Sequence, residues 1–129
     1  LYGFAGKWRD VNISKGGFAF PAARYLDASM NDFGAHILSQ EPSVPAEREA
    51  LITFMARVHG ELLFIHPFRE GNGRAARLLL DLMALKHGYG KLDFRPMQEQ
   101  FDAYVTAVQR AALGDHAPME LLIRAAFPS

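Results

Sequence analysis

Two long segments with apolar residues at helical period, residues 46–65 and 72–87, are separated by a loop that neither helix can absorb. The first carries Leu51, Phe54, Met55, Val58, Leu62 and Ile65 at helical spacing; Ser43 ahead of Pro45, with Glu47 and Glu49 in the first turn, marks its start. Pro67 biases His66 away from the α region, so this helix is expected to end there. Gly71 and Gly73 free the backbone to turn tightly and to approach a ligand. Asn72 reads as the cap of the next helix, accepting a backbone N–H. That second helix is apolar on most sides, from Ala75 and Ala76 through Leu78, Leu79, Leu80, Leu82, Met83, Ala84 and Leu85, which predicts a central, buried element. Gly88, close behind Lys86, stops it.

The loop concentrates chemistry that suits phosphates. A loop ending at a helix N-terminus offers unpaired N–H groups and the positive end of the dipole. Arg74 and Arg77, three apart on one helix face, add two planar cations. A second use for Arg77 is an intrahelical pair with Asp81, worth ~0.2–0.5 kcal/mol. His66, with an ordinary pKa near ~6.5, is a candidate base; the competing reading is a helix-end histidine whose cation favours the dipole. Glu70 is either a solvated acid before a helix or a metal ligand. Phe68 reads as an apolar anchor whose burial contributes ~2–3 kcal/mol and holds His66 and Glu70 in place. His59 lies two turns before His66, ~10 Å along the axis, too far to share an ion, and reads as an ordinary polar or half-buried histidine. His36, His87 and His116 form no constellation.

Elsewhere the pattern is helical with one exception. Val11 and Ile13 alternate before Gly16 and Gly17, and Phe18 and Phe20 alternate after them, so residues 11–20 read as a β-hairpin with a primed turn, ended by Pro21. By residue pattern alone the favoured reading is a surface hairpin with no role beyond covering a core edge. Residues 22–38 form a helix with Tyr25, Met30, Phe33, Ile37 and Leu38 inward, and residues 40–45 a proline-punctuated loop. Residues 97–113 form another, with Phe101, Tyr104, Val105 and Val108 inward. Pro118 opens a last helix carrying Leu121, Leu122, Ile123 and Phe127.

Length and charge narrow the classes. The 129 residues suit one domain, and equal counts of 14 basic and 14 acidic residues argue against broad neutralisation of a nucleic acid. The absence of cysteine removes disulfide frameworks, thiolate zinc sites and cysteine catalysis. No signal peptide or apolar run of membrane-spanning length is present. Leu1 in place of an initiator methionine suggests a chain trimmed at its N-terminus.

HPFREGNGR at residues 66–74, followed by Ala75, Ala76 and Arg77, resembles the signature of the Fic (filamentation induced by cAMP) domains. That signature is His-Pro-Phe-x-Asp/Glu-Gly-Asn-Gly-Arg-x-x-Arg, and every fixed position is matched. Tyr2, Phe4, Ala5 and Gly6 resemble the aromatic-Ala-Gly segment before the family's flap, so the resemblance covers roughly residues 2–85. It implies an all-α, Fic-type helical bundle with a short β-hairpin flap near the N-terminus. Residues 1–129 would form a single Fic domain, the flap lying at about 11–20 and the signature loop at 66–74.

Residue by residue, the resemblance implies that His66 is the catalytic base and Glu70 holds Mg²⁺ between the α- and β-phosphates. Phe68, Gly71, Asn72, Gly73, Arg74 and Arg77 would bind the nucleotide. Val11, Asn12, Ile13, Ser14, Lys15, Gly16, Gly17 and Phe18 would form the target-binding flap, which docks an extended segment through backbone pairing. The implied activity is protein adenylylation: AMP passes from ATP to a Ser, Thr or Tyr hydroxyl of a target protein. Two alternatives stay open, a Fic-fold transferase using UMP, phosphocholine or phosphate donors, and a non-catalytic helical module that binds a partner. The implied partner is a target with an exposed hydroxyl, with no role for nucleic acid or membrane; inhibition, if any, is expected from upstream of Leu1 in a longer chain or from a separate antitoxin-like protein. The implied setting is the cytoplasm, or delivery into another cell. Many Fic proteins carry an inhibitory Ser/Thr-x-x-x-Glu-Gly/Asn helix that pairs with the second arginine; the nearest match here, Ser43 to Glu47, fails at Arg48.

Overall fold

The computed structural model describes residues 7–15 and 18–128. Among them the helix α2, Arg48–Ile65, is the axis on which the other helices are built. Leu51, Ile52, Met55, Ala56 and His59 are each fully buried, and α2 packs against α3 (Asn72–Lys86), α5 (Phe101–Ala112) and α6 (Ala117–Ala126). Its contact with α5 is close: a Cβ on Gly60 would fall 2.7 Å from that of Ala111. Only glycine lets the helices approach to this distance, and the approach brings Tyr104 of α5 onto His59 of α2.

Helix α3 is not the central element its composition predicts. Ala76, Leu80, Met83 and Ala84 are buried against the core, but Leu78, Leu82 and Leu85 are 59%, 54% and 71% exposed. The reason is positional: its extensive helical neighbour is α2, so one face is covered and the opposite leucines have nothing to meet.

The helix expected over residues 22–38 is divided. A 3-10 turn, Ala23–Tyr25, leads into α1, Leu26–Asp32; a π-helical turn, Phe33–Ile37, and a 3-10 turn, Leu38–Gln40, follow. Asn31, Asp32 and Gly34 are weak helix formers, and the α path is lost among them. Leu26, Phe33 and Ile37 carry the burial, whereas Tyr25 is exposed. The segment expected as one helix over 97–113 is likewise split, into α4 (Arg95–Glu99) and α5, at Gln100, whose φ and ψ are −107° and 50°. On α5 only Ala107 and Ala111 are buried. Phe101 and Val105, expected inward, are exposed, as is Leu121 of α6.

The hairpin is present in shortened form. Strands β1 (Ser14–Lys15) and β2 (Phe18–Ala19) pair antiparallel, Ser14 opposite Ala19 and Lys15 opposite Phe18. The Phe20 amide extends the ladder to the Ile13 carbonyl at 3.1 Å. The primed turn expected at Gly16 and Gly17 lies outside the described residues, as do Tyr2, Phe4, Ala5 and Gly6. Among the described residues no helix is long and apolar enough to cross a membrane.

His87, which the sequence leaves without a role, is buried where α3 ends. Its Nδ1 accepts the Ala46 amide at 3.0 Å, so Nε2–H donates to Glu41 at 2.7 Å. That pair ties the loop before α2 to the end of α3.

Candidate active site

Helix α2 stops at Ile65, and His66 leaves the α region as Pro67 requires. It does not become extended: its φ and ψ are 53° and 58°, in the left-handed region, while its amide still bonds the Leu62 carbonyl at 2.9 Å. For a side chain other than glycine this costs ~1–2 kcal/mol. The conformation is over-determined by Arg9, a residue with no signal in the sequence beyond being a cation in an alternating run. Arg9 is buried, and its Nε donates to the His66 carbonyl at 2.6 Å. Its Nη2 donates to the carbonyls of Ile65 (3.2 Å) and Pro21 (2.5 Å), its Nη1 to that of Val11 (2.8 Å), and its own amide to that of Pro67 (2.8 Å).

The His66 ring is 8% exposed and stacks on Phe20 at 4.0 Å between centroids and 13° between planes. Together with Lys15 and Phe20 from the hairpin and Tyr104, Val105 and Val108 from α5, it lines a cavity of about 440 Å³. The α5 residues expected in the core therefore form the wall of this cavity. Burial first, and then the charges of Lys15 and Arg9, push the His66 pKa down to about 4, against a hydrogen bond from the ring to the Leu63 backbone. Near neutral pH the ring is uncharged and can accept a proton. Of the competing reading, a helix-end histidine as a cation on the last carbonyls, the contact to the Leu63 backbone is present, while burial opposes the charge.

The loop that follows is braced by Asn72. Asn72 is 5% exposed; its Oδ1 accepts the Phe68 amide and its Nδ2 donates to the Phe68 carbonyl, both at 2.8 Å. Asn72 is therefore not the helix cap it resembles. The cap position belongs to Gly71, at φ 81°, and Asn72, the first residue of α3, turns its amide back into the loop. Phe68 is half-buried, its ring 5.5 Å from that of Trp8. Glu70 and Arg74 are exposed on the outer side of the loop and the first turn of α3.

Arg77 is half-buried and turns away from Asp81, which instead accepts the Leu92 amide at 3.4 Å. Its guanidinium folds over Gly73, Nη1 standing 3.0 Å from where a Cβ would be. It also lies beside the Tyr104 hydroxyl: burial raises the pKa of that phenol, against the charge and hydrogen bonding of Arg77. The same hydroxyl is 2.6 Å from Nε2 of His59. Burial pushes the pKa of His59 down to about 4, so this histidine sits neutral in the core behind the site.

Of the residues assigned to the flap, Val11, Ser14 and Lys15 are exposed and Ile13 is half-buried. Asn12 has a structural bond, its Oδ1 accepting the Ala23 amide at 2.8 Å. Phe18 pairs within β2, and Gly16 and Gly17 lie outside the described residues. The fold thus gathers His66, the hairpin and Tyr104 around one cavity, with Arg77 beside the Tyr104 hydroxyl. Among the described residues no three His, Asp or Glu side chains cluster as a complete metal site.

Comparisons with known proteins bear on the family and the fold. The Fic/DOC family model matches residues 1–84. The chain is 33% identical over 114 residues to the protein adenylyltransferase Fic of Nematostella vectensis, an alignment covering 88% of this chain and 25% of that protein. It is 25% identical over 122 residues to the probable protein adenylyltransferase Fic of Escherichia coli (strain K12), covering 95% of this chain and 60% of that one. Among solved structures, the BepC effector protein of Bartonella tribocorum with bound AMPPNP superposes at a TM-score of 0.79 and 20% identity, over 97% of this chain and 66% of that chain. The N-terminal Fic domain of a Bep effector from Bartonella sp. AR 15-3 gives a TM-score of 0.77 at 23% identity, over 98% and 63%. The chain spans a quarter to three-fifths of the length of these two curated relatives.

Proposed function

The chain belongs to the Fic/DOC family, and from that premise we propose that it transfers AMP from ATP to a Ser, Thr or Tyr hydroxyl of a target protein. The observation that carries this reading is the buried His66 ring in the cavity that the hairpin and α5 enclose, its pKa held down by that burial, with Tyr104 linking the cavity to Arg77. The naming of relatives as protein adenylyltransferases supports the choice of donor.

In this mechanism the hairpin holds an extended target segment by backbone pairing, so the hydroxyl arrives without any sequence being read. His66 accepts the hydroxyl proton while the oxygen attacks the α-phosphorus in line. The bond from that phosphorus to the β-phosphate oxygen breaks, and pyrophosphate leaves toward Arg74 and Arg77. Backbone N–H groups at the start of α3, around Gly71, Asn72 and Gly73, receive the phosphate oxygens. The apolar wall of Tyr104, Val105 and Val108 accommodates the base. A polyanionic donor beside His66 raises its proton affinity, opposing the burial and the cations that depress it.

Glu70 fits Mg²⁺ of the kind that takes one protein carboxylate and completes its shell with water and phosphate oxygens, because it is an exposed, solitary acid before a phosphate-binding helix end. When bound, the ion supplies neutralisation of charge developing on the phosphates.

Control by a separate antitoxin-like protein belongs to the same reading. Glu47, the one glutamate in the partial inhibitory match, stands at the N-cap of α2. The 18 residues of that helix separate it from His66 by ~27 Å, so it stands at the opposite end of α2 from the signature loop. The test of function is incubation of the protein with cell lysate and ATP labelled at either the α or the γ phosphate. Label appearing in a lysate protein only from the α position supports AMP transfer; transfer from the γ position, or none from either, refutes it.

A further inference from the structure

We propose that Arg9 is a positioning residue that locks the β1–β2 hairpin to His66, so that a strand docked on the hairpin is held at a fixed offset from the imidazole. The proposal rests on the reading of His66 as base and of the hairpin as target-binding flap. Arg9 is 3% exposed, and its side-chain hydrogen bonds to His66, Ile65, Val11 and Pro21 all go to backbone carbonyls. Two of those carbonyls, Ile65 and His66, are at the end of α2, where no intrahelical donor remains for them and a cation is favoured by the dipole. The other two, Val11 and Pro21, flank the hairpin on either side. The Arg9 main chain adds a bond from its amide to Pro67, inside the signature loop.

The choice of acceptors shows what the arginine does. A carboxylate partner would fix a side chain, whereas carbonyls are fixed to the path of the chain. A planar guanidinium has its N–H directions set at rigid angles, so four carbonyls that meet it are held in one relation to each other. A lysine ammonium, a single point with three donors, cannot impose that relation. Phe20, one residue before the Pro21 carbonyl that Arg9 holds, stacks on the His66 ring at 4.0 Å. The guanidinium therefore fixes the His66 backbone directly, and fixes the plane of its ring through the hairpin. Since ~1 Å of misplacement can cost ~10²-fold in rate, such a lock bears directly on transfer.

The test begins with the unmodified protein. Hydrogen exchange of the amides in residues 13–20 and 66–70 should show the two segments opening together, as one cooperative unit. Separate opening of the two overturns the proposal, and this measurement needs no variant to fold. In Arg9→Lys, which retains the charge, both segments should exchange at least about tenfold faster while α6 is unchanged. The proton resonance of the His66 ring, shifted by the Phe20 ring above it, should move toward its random-coil position. Loosening of the hairpin with an unmoved His66 resonance overturns the lock. ATP affinity should stay within about twofold, and transfer of α-label to protein should fall by about 10–100-fold, the range expected for misplacement of reacting groups. If the unmodified protein binds no ATP, the functional reading fails, while the exchange and resonance measurements still decide whether the lock exists.

Discussion

Acid should unfold this protein partly through a residue that never meets substrate. His59 is fully buried on α2 with Nε2 on the Tyr104 hydroxyl, and its pKa is held down at about 4. In the unfolded chain the same ring titrates at its ordinary value, 6.5. As pH falls below 6.5 the unfolded state gains a proton that the folded state refuses, so stability present at neutral pH is lost progressively until about pH 4. From these two values the loss due to His59 alone, between pH 7.5 and 5, is ~2 kcal/mol, with a slope approaching ~1.4 kcal/mol per pH unit. The assay is urea unfolding across pH 4.5–7.5, run on the unmodified protein and on His59→Gln. The glutamine amide reaches the position of Nε2 and keeps a partner for Tyr104, but does not titrate. His66, also depressed, adds to the slope in both proteins with the same sign and drops out of the difference. Parallel curves for the two proteins would show that His59 is not held neutral in the fold, and would refute the reasoning.

Other expectations follow from single contacts. His66→Ala should lower transfer by ~10²–10⁴-fold with ATP affinity nearly intact; near-normal turnover would remove His66 from the chemistry. Glu70→Ala should abolish the Mg²⁺-dependent part of ATP binding, seen by titration with and without the ion, and unchanged binding would contradict its role. Gly73→Ala places a methyl 3.0 Å from Nη1 of Arg77, which should raise the KM for ATP with little change in melting temperature. Gly60→Ala puts a methyl 2.7 Å from Ala111; overpacking of this kind costs ~1–3 kcal/mol and should lower the melting temperature.

What the sequence revealed was what is written locally. Helix α2, its end before Pro67, and the loop chemistry all follow from residues close in the chain, and each is legible as spacing or as a breaker. The outward leucines of α3 were misread because composition records how apolar a helix is and not how many neighbours it meets. Phe101 and Val105 were misplaced for a related reason: apolar residues that wall a cavity and those that fill a core have the same period. Asn72 has the chemistry of a cap, and only the turn of the chain at Gly71 decides that its amide goes back to Phe68 instead. Arg9 was invisible because its acceptors are carbonyls, which every residue has, and two of them, Ile65 and His66, lie more than fifty positions away.

The brace at Asn72 also bears on how long a molecule of this protein stays intact. Asn72 is followed by Gly73, the pairing in which a side-chain amide is most readily attacked by the next backbone nitrogen, since glycine leaves that nitrogen unhindered. Closure of the resulting ring expels ammonia, and its hydrolysis leaves aspartate or its backbone-shifted isomer. In the fold the attack is restrained, because both ends of the Asn72 amide are held by Phe68 and the residue is already committed to the first turn of α3. Each passage through the unfolded state removes that restraint. A molecule altered there would refold with a carboxylate oxygen facing the Phe68 carbonyl it once donated to, and with a negative charge in the loop proposed to receive phosphates. Ageing of the chain should thus be counted in unfolding events more than in hours, and should silence the site before it disturbs the core.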